Sequence, residues 1–495
     1  MDVLSLSLFG LVILSLAIGA FSSQSIRDTR DYYSAAGRMS WYMLVGTFMA
    51  SNVSAGLFLG ATNASGENGY AMWAAYFPTC MGYLLCIGFV GIWVRRLSNH
   101  YEIMDLTDVF YYRFQRRGET VRSVSSIIVA FAYIPVLVAQ FIALASIIST
   151  LLDVPYENSL LIISVVVVSY TFLGGMLGVI RTDGIQFIIL ILGLLVAVPL
   201  SISAAGAGNT NFGWERIAEL PDIFVWTTPS LPWFAVLGQL VWLFAIPVQP
   251  HLVSRFLAAR TEKDIVICLP ICVAMTLIIY TATVPLGLAG RVLEPDLEQG
   301  AYYYVVMAVD HFPVVVGALA LAGIASAALS TCSTVLMITG QTVSRHVIQR
   351  INMPAWFTEM HGARTGVLVV GVIIWMIAEM QPLGIFWLVV LSASMLASGF
   401  FVPLFLGMLW RRATAEGAIA AMVVGTISAS AVYLVNDFYG TNYFISEVFA
   451  GLIFSAIVMV IISLRTSSSK EEILVMDCAH ALSNKHPRMS HSIDN

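Results

Sequence analysis

The chain has 495 residues, of which 59% are hydrophobic and only 11% charged, and its formal net charge is −5. Soluble domains carry roughly a quarter charged residues, so this composition excludes a water-soluble globular protein and indicates one that crosses a membrane many times. The sequence contains no glycine-rich phosphate loop, zinc-ligand spacing or hydrolase triad, which gives no support to an enzyme or to ATP-driven machinery.

Apolar runs of about 20 residues predict thirteen membrane spans. In chain order they cover residues 3–22, 40–62, 71–94, 122–149, 158–177, 183–204, 233–254, 265–289, 313–341, 364–380, 384–409, 414–436 and 443–464. The first span is preceded by Asp2 and by no Lys or Arg, so we expect a retained helix and not a cleaved signal peptide. Residues 1–465 are therefore predicted to form one transmembrane domain, followed by a polar cytoplasmic tail, 466–495.

The basic residues predict the orientation of these spans. If the N-terminus is outside, all but two of the 24 Lys and Arg residues fall in or beside inside segments, Arg255 among them; the exceptions are Arg216 and Arg291. Positive residues concentrate on the cytoplasmic side of membrane proteins. We therefore predict an all-α polytopic membrane protein of about 13 transmembrane helices, with the N-terminus outside and the C-terminus inside the plasma membrane.

Two of the spans carry signs of a broken helix. Span 2 reads "LVGTFMASNVSAGLFLGATNASG", where glycines flank the polar cluster Ser51, Asn52 and Ser54. Span 7 contains Pro247 and Pro250, and each proline removes a backbone donor and clashes with the preceding turn. The two spans are five apart, an odd number, so the helical units that they open would have opposite orientations. Matched discontinuous spans in two inverted halves are typical of secondary transporters, although each cluster alone also fits a kinked packing helix.

Span 9 is unusually rich in hydroxyl groups. Ala327, Ser330, Thr331 and Thr334 share one face of a helix, with Ser326 and Ser333 on an adjacent stripe. One or two such hydroxyls would ordinarily bond back to their own helix. Five within nine residues, facing a broken helix with free carbonyls, instead indicate a site for a hard cation. We favour sodium over a proton because this face has no titratable group.

One acidic residue, Asp183, lies at the start of span 6. At that position it could cap the helix, paired with Arg181. It could also ligate a second cation or form part of an exit path, because acidic residues inside membranes are costly and usually functional. Helix capping and ion contact are compatible, so both interpretations stay open.

The motifs "YTFLGGMLGVIRTDGIQ" and "ALSTCST", together with thirteen spans, resemble the solute:sodium symporter family. That family includes bacterial proline, pantothenate and sialic-acid symporters and the sodium–glucose cotransporters. The resemblance covers about residues 1–465. It implies a leucine-transporter-like core of two inverted five-helix repeats, here about 40–204 and 233–409, and a sodium-coupled symporter that is not an enzyme.

The resemblance also implies ion sites, and these are carried over residue by residue. The main sodium site would use the carbonyls of Ala50, Val53 and Ala327 and the hydroxyls of Ser330 and Thr331. Some members have a second sodium site, which here would comprise Asp183, Ser330, Ser333 and Thr334. The chain would accordingly bind one sodium ion, or two.

Solute identity is less constrained by the sequence. "QPHLVSRFLAA" and Trp242 are similar to the proline branch, whereas span 11 is more similar to the pantothenate branch. The candidate lining residues are Asn52, Gly56, Leu57, Trp242, Gln249 and Ser394. The pocket is expected to contain no Lys or Arg at mid-depth, which favours a small neutral or zwitterionic solute, its carboxylate held by a half-helix N-terminus.

Other classes of protein of this fold stay open from sequence alone. They are a proton-coupled carrier and a transporter-like sensor, the second disfavoured by the short tail. The expected partners are the solute, sodium and membrane lipid, with no nucleic acid and no obligate protein partner.

Overall fold

The computed structural model describes residues 3–26, 32–33, 37–152, 154–221, 223–225, 237–297, 302–346, 348, 357–380, 385–439 and 446–480, and this part of the chain contains helices and no β-strand. In chain order the helices are α1 (Val3–Ser23), α2 (Trp41–Asn52), α3 (Ala55–Asn68), α4 (Trp73–Leu85), α5 (Ile92–Leu97), α6 (Leu106–Arg113), α7 (Gly118–Leu152), α8 (Tyr156–Ala205), α9 (Thr210–Ala218), α10 (Val241–Ala245), α11 (Pro250–Ala258), α12 (Glu262–Leu293), α13 (Tyr303–Val306), α14 (Val314–His346), α15 (Glu359–Glu379), α16 (Ile385–Leu396), α17 (Val402–Leu409), α18 (Ala415–Tyr439), α19 (Glu447–Arg465) and α20 (Lys470–His480). Short π-helical turns join α4 to α5 and α16 to α17.

Many of these helices are long and apolar enough to cross a membrane. Among the described residues nine qualify, or ten when the bent pair Val241–Val248 and Pro250–Ala258 counts as one span. Every predicted span coincides with one or more helices. The count is lower than thirteen because α1 is counted as a shorter helix, spans 2 and 7 are broken into short helices, and α8 covers two predicted spans. The polytopic all-α class is thereby confirmed, while the count of thirteen and the orientation of the termini stay predictions.

Both predicted helix breaks are present. α2 ends at Asn52 and α3 begins at Ala55, with Val53 in a non-helical conformation between them. α10 continues as a 3-10 turn over Ile246–Val248, and α11 begins after the extended residue Gln249, so the pair is bent by 43°. Pro250 directly follows this extended residue, and a proline disfavours the helical conformation in the residue before it. Pro247 lies two positions before Gln249 and has no backbone N–H to donate.

The start of α2 lies beside the end of α11. The Met39 amide donates to the Ala258 carbonyl at 2.8 Å, and the Arg260 amide donates to the Met39 carbonyl at 2.9 Å. The Arg255 guanidinium, in the last turn of α11, contacts the Ser51 hydroxyl near the end of α2. These contacts join a helix of one predicted repeat to a helix of the other.

α8 is 50 residues long and consists of two helical stretches that meet at Gly175. Gly175 has φ +52° and ψ −160°, a conformation essentially reserved for glycine. Tyr156, in the first stretch, bonds the Ala378 carbonyl, and Gly193, in the second, lies against Leu319 at the start of α14. The two predicted spans 158–177 and 183–204 are therefore two stretches joined without an intervening loop.

This geometry corrects the predicted role of Asp183. The residue lies eight positions beyond the break, inside the second helical stretch, and it is fully buried. It therefore does not begin a helix, and the capping interpretation is wrong. Its expected partner, Arg181, instead donates to the Ser22 hydroxyl of α1 at 3.1 Å.

α14 is the central helix of the fold. It packs against α1, α7, α8 and α15, and its residues from Ala320 to Thr342 are buried without interruption. A helix that is enclosed on all sides must place its polar groups against partners, because unpaired polar groups in an apolar interior are costly. The hydroxyls of α14 consequently define the candidate site.

Candidate functional site

The break between α2 and α3 supplies carbonyl oxygens that the helix itself no longer uses. In a continuous helix the Ser54 amide would bond the Ala50 carbonyl, but here it bonds the Asn52 carbonyl at 3.0 Å. The Ala50 carbonyl instead accepts from the Ser330 hydroxyl of α14 at 2.7 Å. The hydroxyl of Thr331 approaches the Ser51 carbonyl at 3.3 Å.

The same two hydroxyls also reach the Ala327 carbonyl one turn back on α14. The distances are 2.9 Å from Ser330 and 3.1 Å from Thr331. Five residues are predicted for the main sodium site. The structure brings uncharged oxygen atoms of four of them together, namely those of Ala50, Ala327, Ser330 and Thr331. Val53, the fifth, is buried at the break itself.

The residues predicted for a second sodium site have a different environment. The Ser333 hydroxyl donates to the Ser330 carbonyl of its own helix at 3.1 Å. Asp183 Oδ2 accepts from the Thr47 hydroxyl at 2.5 Å and lies 3.0 Å from Arg255 Nη2. That same nitrogen lies 2.5 Å from the Thr334 hydroxyl.

Arg255, which the charge pattern groups with the inside residues, has a side chain that is enclosed by the protein. Its side chain and that of Asp183 are both 0% exposed. α11 has only nine residues, so an arginine near its end still lies within the protein, and its long side chain reaches the only intramembrane carboxylate that the sequence predicted. The ion pair leaves this buried position electrically neutral, and the expectation that the solute pocket itself contains no Lys or Arg stays a prediction.

The predicted solute-lining residues divide into two groups. Asn52, Gly56, Trp242 and Gln249 lie at or next to the two breaks, and Asn52 Nδ2 and Gln249 Oε1 are buried without a hydrogen-bond partner in the described structure. Such orphaned polar atoms are rare and call for an explanation. The hydroxyl of Ser394, in contrast, donates to Glu447 of α19 at 3.1 Å. Leu57 lies on α3, and its side chain is outside the described part of the structure.

The sequence interpretation missed a polar face on α7. Tyr133 and Gln140 are seven residues, or two turns, apart and so share one side of the helix. The Tyr133 hydroxyl accepts from the His251 amide at 3.0 Å and lies 2.7 Å from His251 Nδ1, which fixes α7 against the start of α11. Gln140 is fully buried, and neither its Oε1 nor its Nε2 has a partner in the described structure. A lone glutamine in the apolar run "VLVAQFIALA" was the available signal.

The arrangement suits the reversible binding of a cation and of an uncharged polar group. Its oxygens are carbonyls and hydroxyls, which hard cations accept as ligands, and its orphaned groups are amides, which can donate and accept without carrying charge. Within the described residues there is no cluster of three or more His, Cys, Asp or Glu that could hold a metal ion.

Comparison with known proteins agrees with this geometry. A model of the sodium:solute symporter family matches residues 32–425. A sodium/pantothenate symporter of Escherichia coli (strain K12) is 25% identical, covering 88% of this chain and 91% of its own length. A sodium/proline symporter of Haemophilus influenzae is 24% identical, covering 93% and 94%.

Solved structures show the same fold. A sodium-coupled sialic acid symporter, in its substrate-bound outward-open state, superposes with a TM-score of 0.78 at 19% identity, covering 95% of this chain and 99% of that one. The family match spans well over half of the chain, and the relatives are transporters and not enzymes. The chain is a multi-pass plasma-membrane protein that uses sodium for solute transport, and it belongs to the sodium:solute symporter family.

Proposed function

We propose that the chain imports a small neutral or zwitterionic organic solute with sodium by alternating access, and that the main ion binds between the α2–α3 break and α14. The observation that carries the proposal is the contact of the Ser330 hydroxyl with the Ala50 carbonyl at 2.7 Å. An ion ligated by Ala50, Val53, Ala327, Ser330 and Thr331 would hold the broken helix against α14. Solute and ion would then cross together as one repeat moves against the other.

Amide chemistry supports an uncharged or internally neutral solute. The orphaned groups of Asn52, Gln140 and Gln249 supply donors and acceptors but no net charge, and Arg255 is neutralised by Asp183. The named relatives transport pantothenate and proline, a hydroxylated carboxylate and an amino acid. An amino acid such as proline, or a small carboxylate or vitamin, is the class that we propose.

The first turn of α3 is the better place for the solute carboxylate. At α11 the first residue is Pro250, which has no N–H, and the amide of His251 already donates to Tyr133. At α3 the chain restarts at Ala55 beside the ion site, where the amides of a first helical turn lack acceptors in their own helix. We therefore assign the carboxylate to Ala55 and Gly56, and the rest of the solute to the amide groups.

A sodium gradient supplies enough free energy for this task. One charge crossing 100 mV yields about 2.3 kcal/mol, and a tenfold concentration gradient adds roughly 1.4 kcal/mol. One ion can thus concentrate a neutral solute about 500-fold. A second ion would square that factor, so the number of ions determines how dilute a solute the cell can take up.

The experiment is uptake into proteoliposomes with sodium, potassium or choline outside and a panel of labelled proline, pantothenate and sialic acid. We expect uptake of a panel member only with sodium. Replacing Ser330 by Ala together with Thr331 by Val should raise the half-maximal sodium concentration at least about tenfold, since two ligands are lost.

The matched control is Thr339→Val, because the Thr339 hydroxyl donates to the Val335 carbonyl of the same helix at 2.8 Å. Its sodium dependence should equal that of the wild type. Equal uptake in choline medium would show that transport does not require sodium and would refute the proposal, and an unchanged sodium requirement in the Ser330/Thr331 variant would remove these hydroxyls from the ion site.

A further inference from the structure

We propose that Arg255 is a built-in cation that occupies the second cation position of this transporter, so that the chain binds one sodium ion and not two. The inference rests on the proposed function, because it concerns the number of ions that drive it. Its basis is the position of one guanidinium nitrogen relative to the oxygens that a second sodium ion would need.

Arg255 Nη2 lies among three oxygens from three helices. It is 2.6 Å from the Ser51 hydroxyl of α2, 3.0 Å from Asp183 Oδ2 of α8 and 2.5 Å from the Thr334 hydroxyl of α14. Ser51 and Thr334 are themselves 3.3 Å apart. This nitrogen carries two hydrogens but has three oxygen neighbours. Such a group of oxygens around one positive charge resembles the ligand set of a bound cation.

The remaining oxygens predicted for a second ion are turned to other partners. Ser330 contacts Ala50 and Ala327 in the main site, and Ser333 donates to its own helix. Asp183 Oδ2 also accepts from Thr47 and from Ser51. Asp183 Oδ1 alone has no hydrogen-bond partner within the described structure.

Charge determines which cation occupies this position. Asp183 and Arg255 are both 0% exposed, and neither is screened by water. One carboxylate neutralises one cation, so a sodium ion added beside the guanidinium would carry an unpaired charge into a medium where such charges are strongly disfavoured. The tethered guanidinium has no association entropy to lose, which favours it further over a free ion.

Removal of the arginine should increase the number of bound sodium ions from one to two. Arg255→Gln leaves the buried Asp183 carboxylate without a counter-charge, a costly state that a free cation can relieve. The vacated position keeps its oxygen ligands from Ser51, Asp183 and Thr334. We therefore expect this variant to bind a second sodium ion, and Arg255→Gln combined with Asp183→Asn to bind one.

The test is equilibrium binding of radioactive sodium alone to the purified full-length protein in detergent. The wild type should bind one ion per chain, Arg255→Gln two, and the Arg255→Gln/Asp183→Asn double variant one. Arg255→Lys keeps the positive charge and should also bind one. Sodium-dependent thermal shifts, measured in parallel, verify that each variant is folded.

Two sodium ions bound to the wild type would overturn the inference, whatever the folding of the variants. A single ion bound to a folded Arg255→Gln protein would also overturn it, because Asp183 would then not select a cation. Neither result affects the main site. The proposed function fails separately, when the wild type binds no sodium or transports without it.

Discussion

Tyr133 and His251 show how single side chains position the broken helix. The Tyr133 hydroxyl accepts the His251 N–H at 3.0 Å, so its one proton is available to His251 Nδ1 at 2.7 Å. This arrangement favours the tautomer in which Nδ1 accepts and the imidazole proton is on Nε2. This pairing satisfies the first backbone N–H of α11, whereas Gln249 Oε1 and both polar atoms of the Gln140 amide have no hydrogen-bond partner in the described structure.

Replacing Gln140 by Leu should weaken solute binding without changing the ion site. The substitution removes a buried amide that is available to the solute, and one hydrogen bond to a neutral group contributes about 1 kcal/mol. We expect the KM for the transported solute to rise roughly five- to tenfold. Initial uptake rates at varied solute and saturating sodium measure it.

Ser394→Ala is the matched control for Gln140, because the Ser394 hydroxyl faces Glu447 on α19. Its KM should equal that of the wild type, and the half-maximal sodium concentration should stay unchanged in both variants. If Gln140→Leu changes the sodium requirement and leaves the KM unaltered, Gln140 does not line the solute pocket.

At the scale of elements, the site forms where helices are interrupted and their polar atoms become available to neighbouring helices. α2 ends at Asn52 and frees carbonyls toward α14. α8 is kinked at Gly175, and Asp183 in its second stretch contacts Arg255 together with Thr334 of α14. Arg255 thus joins α11 to α2, α8 and α14, so one side chain connects both broken helices to two helices of more than 30 residues.

Gly175→Ala should destabilise the protein through this kink. The residue has φ +52°, and an added Cβ would lie 2.6 Å from the Tyr32 ring. A backbone conformation of this kind costs about 1–3 kcal/mol for a residue with a side chain, and displacement of Tyr32 adds to it. The midpoint of thermal unfolding in detergent should therefore fall by several degrees.

Gly10→Ala provides the comparison, since it lies in α1 with no atom within 4 Å of an added Cβ. Its unfolding midpoint should match or exceed that of the wild type, because alanine favours a helix over glycine. Equal midpoints for the Gly175 and Gly10 variants would show that the kink tolerates a side chain.

Much of the whole molecule follows from local patterns in the sequence. Hydropathy located the helical segments, and Pro247 and Pro250 placed the second break within one residue of Gln249. The hydroxyls of α14 were identified because their spacing places them on one face. In contrast, the contact of Arg255 with Asp183 joins residues 72 positions apart, and no local pattern encodes it. The charge pattern groups Arg255 with the other inside residues and gives no sign that its side chain is buried against Asp183.

The tail is the second feature that sequence patterns did not reveal. It reads as polar, yet α20 folds back onto the transporter with Val475 and Ala479 fully buried. His480 Nε2 lies 2.8 Å from the Met408 carbonyl of α17, and Arg96 of α5 donates to the His480 carbonyl. α20 thereby links a helix of the first predicted repeat to a helix of the second. The side of α20 that packs against the transporter has only two or three apolar residues. An apolar pattern this short does not distinguish a packed helix from a solvent-exposed segment.

Deleting α20 should therefore destabilise the whole molecule. A chain that ends at residue 469 loses the buried Val475, and full burial of one such side chain contributes about 1.5–3 kcal/mol. It also loses the ion pair between Arg411 and Asp477 at 3.0 Å, which is exposed and contributes little. A second chain that ends at residue 480 keeps α20, so the difference between the two truncations measures α20 alone. We expect the shorter chain to unfold several degrees lower in detergent, because the two predicted repeats lose one of the elements that connect them. Equal midpoints would mean that the packing of α20 contributes nothing to holding the repeats together.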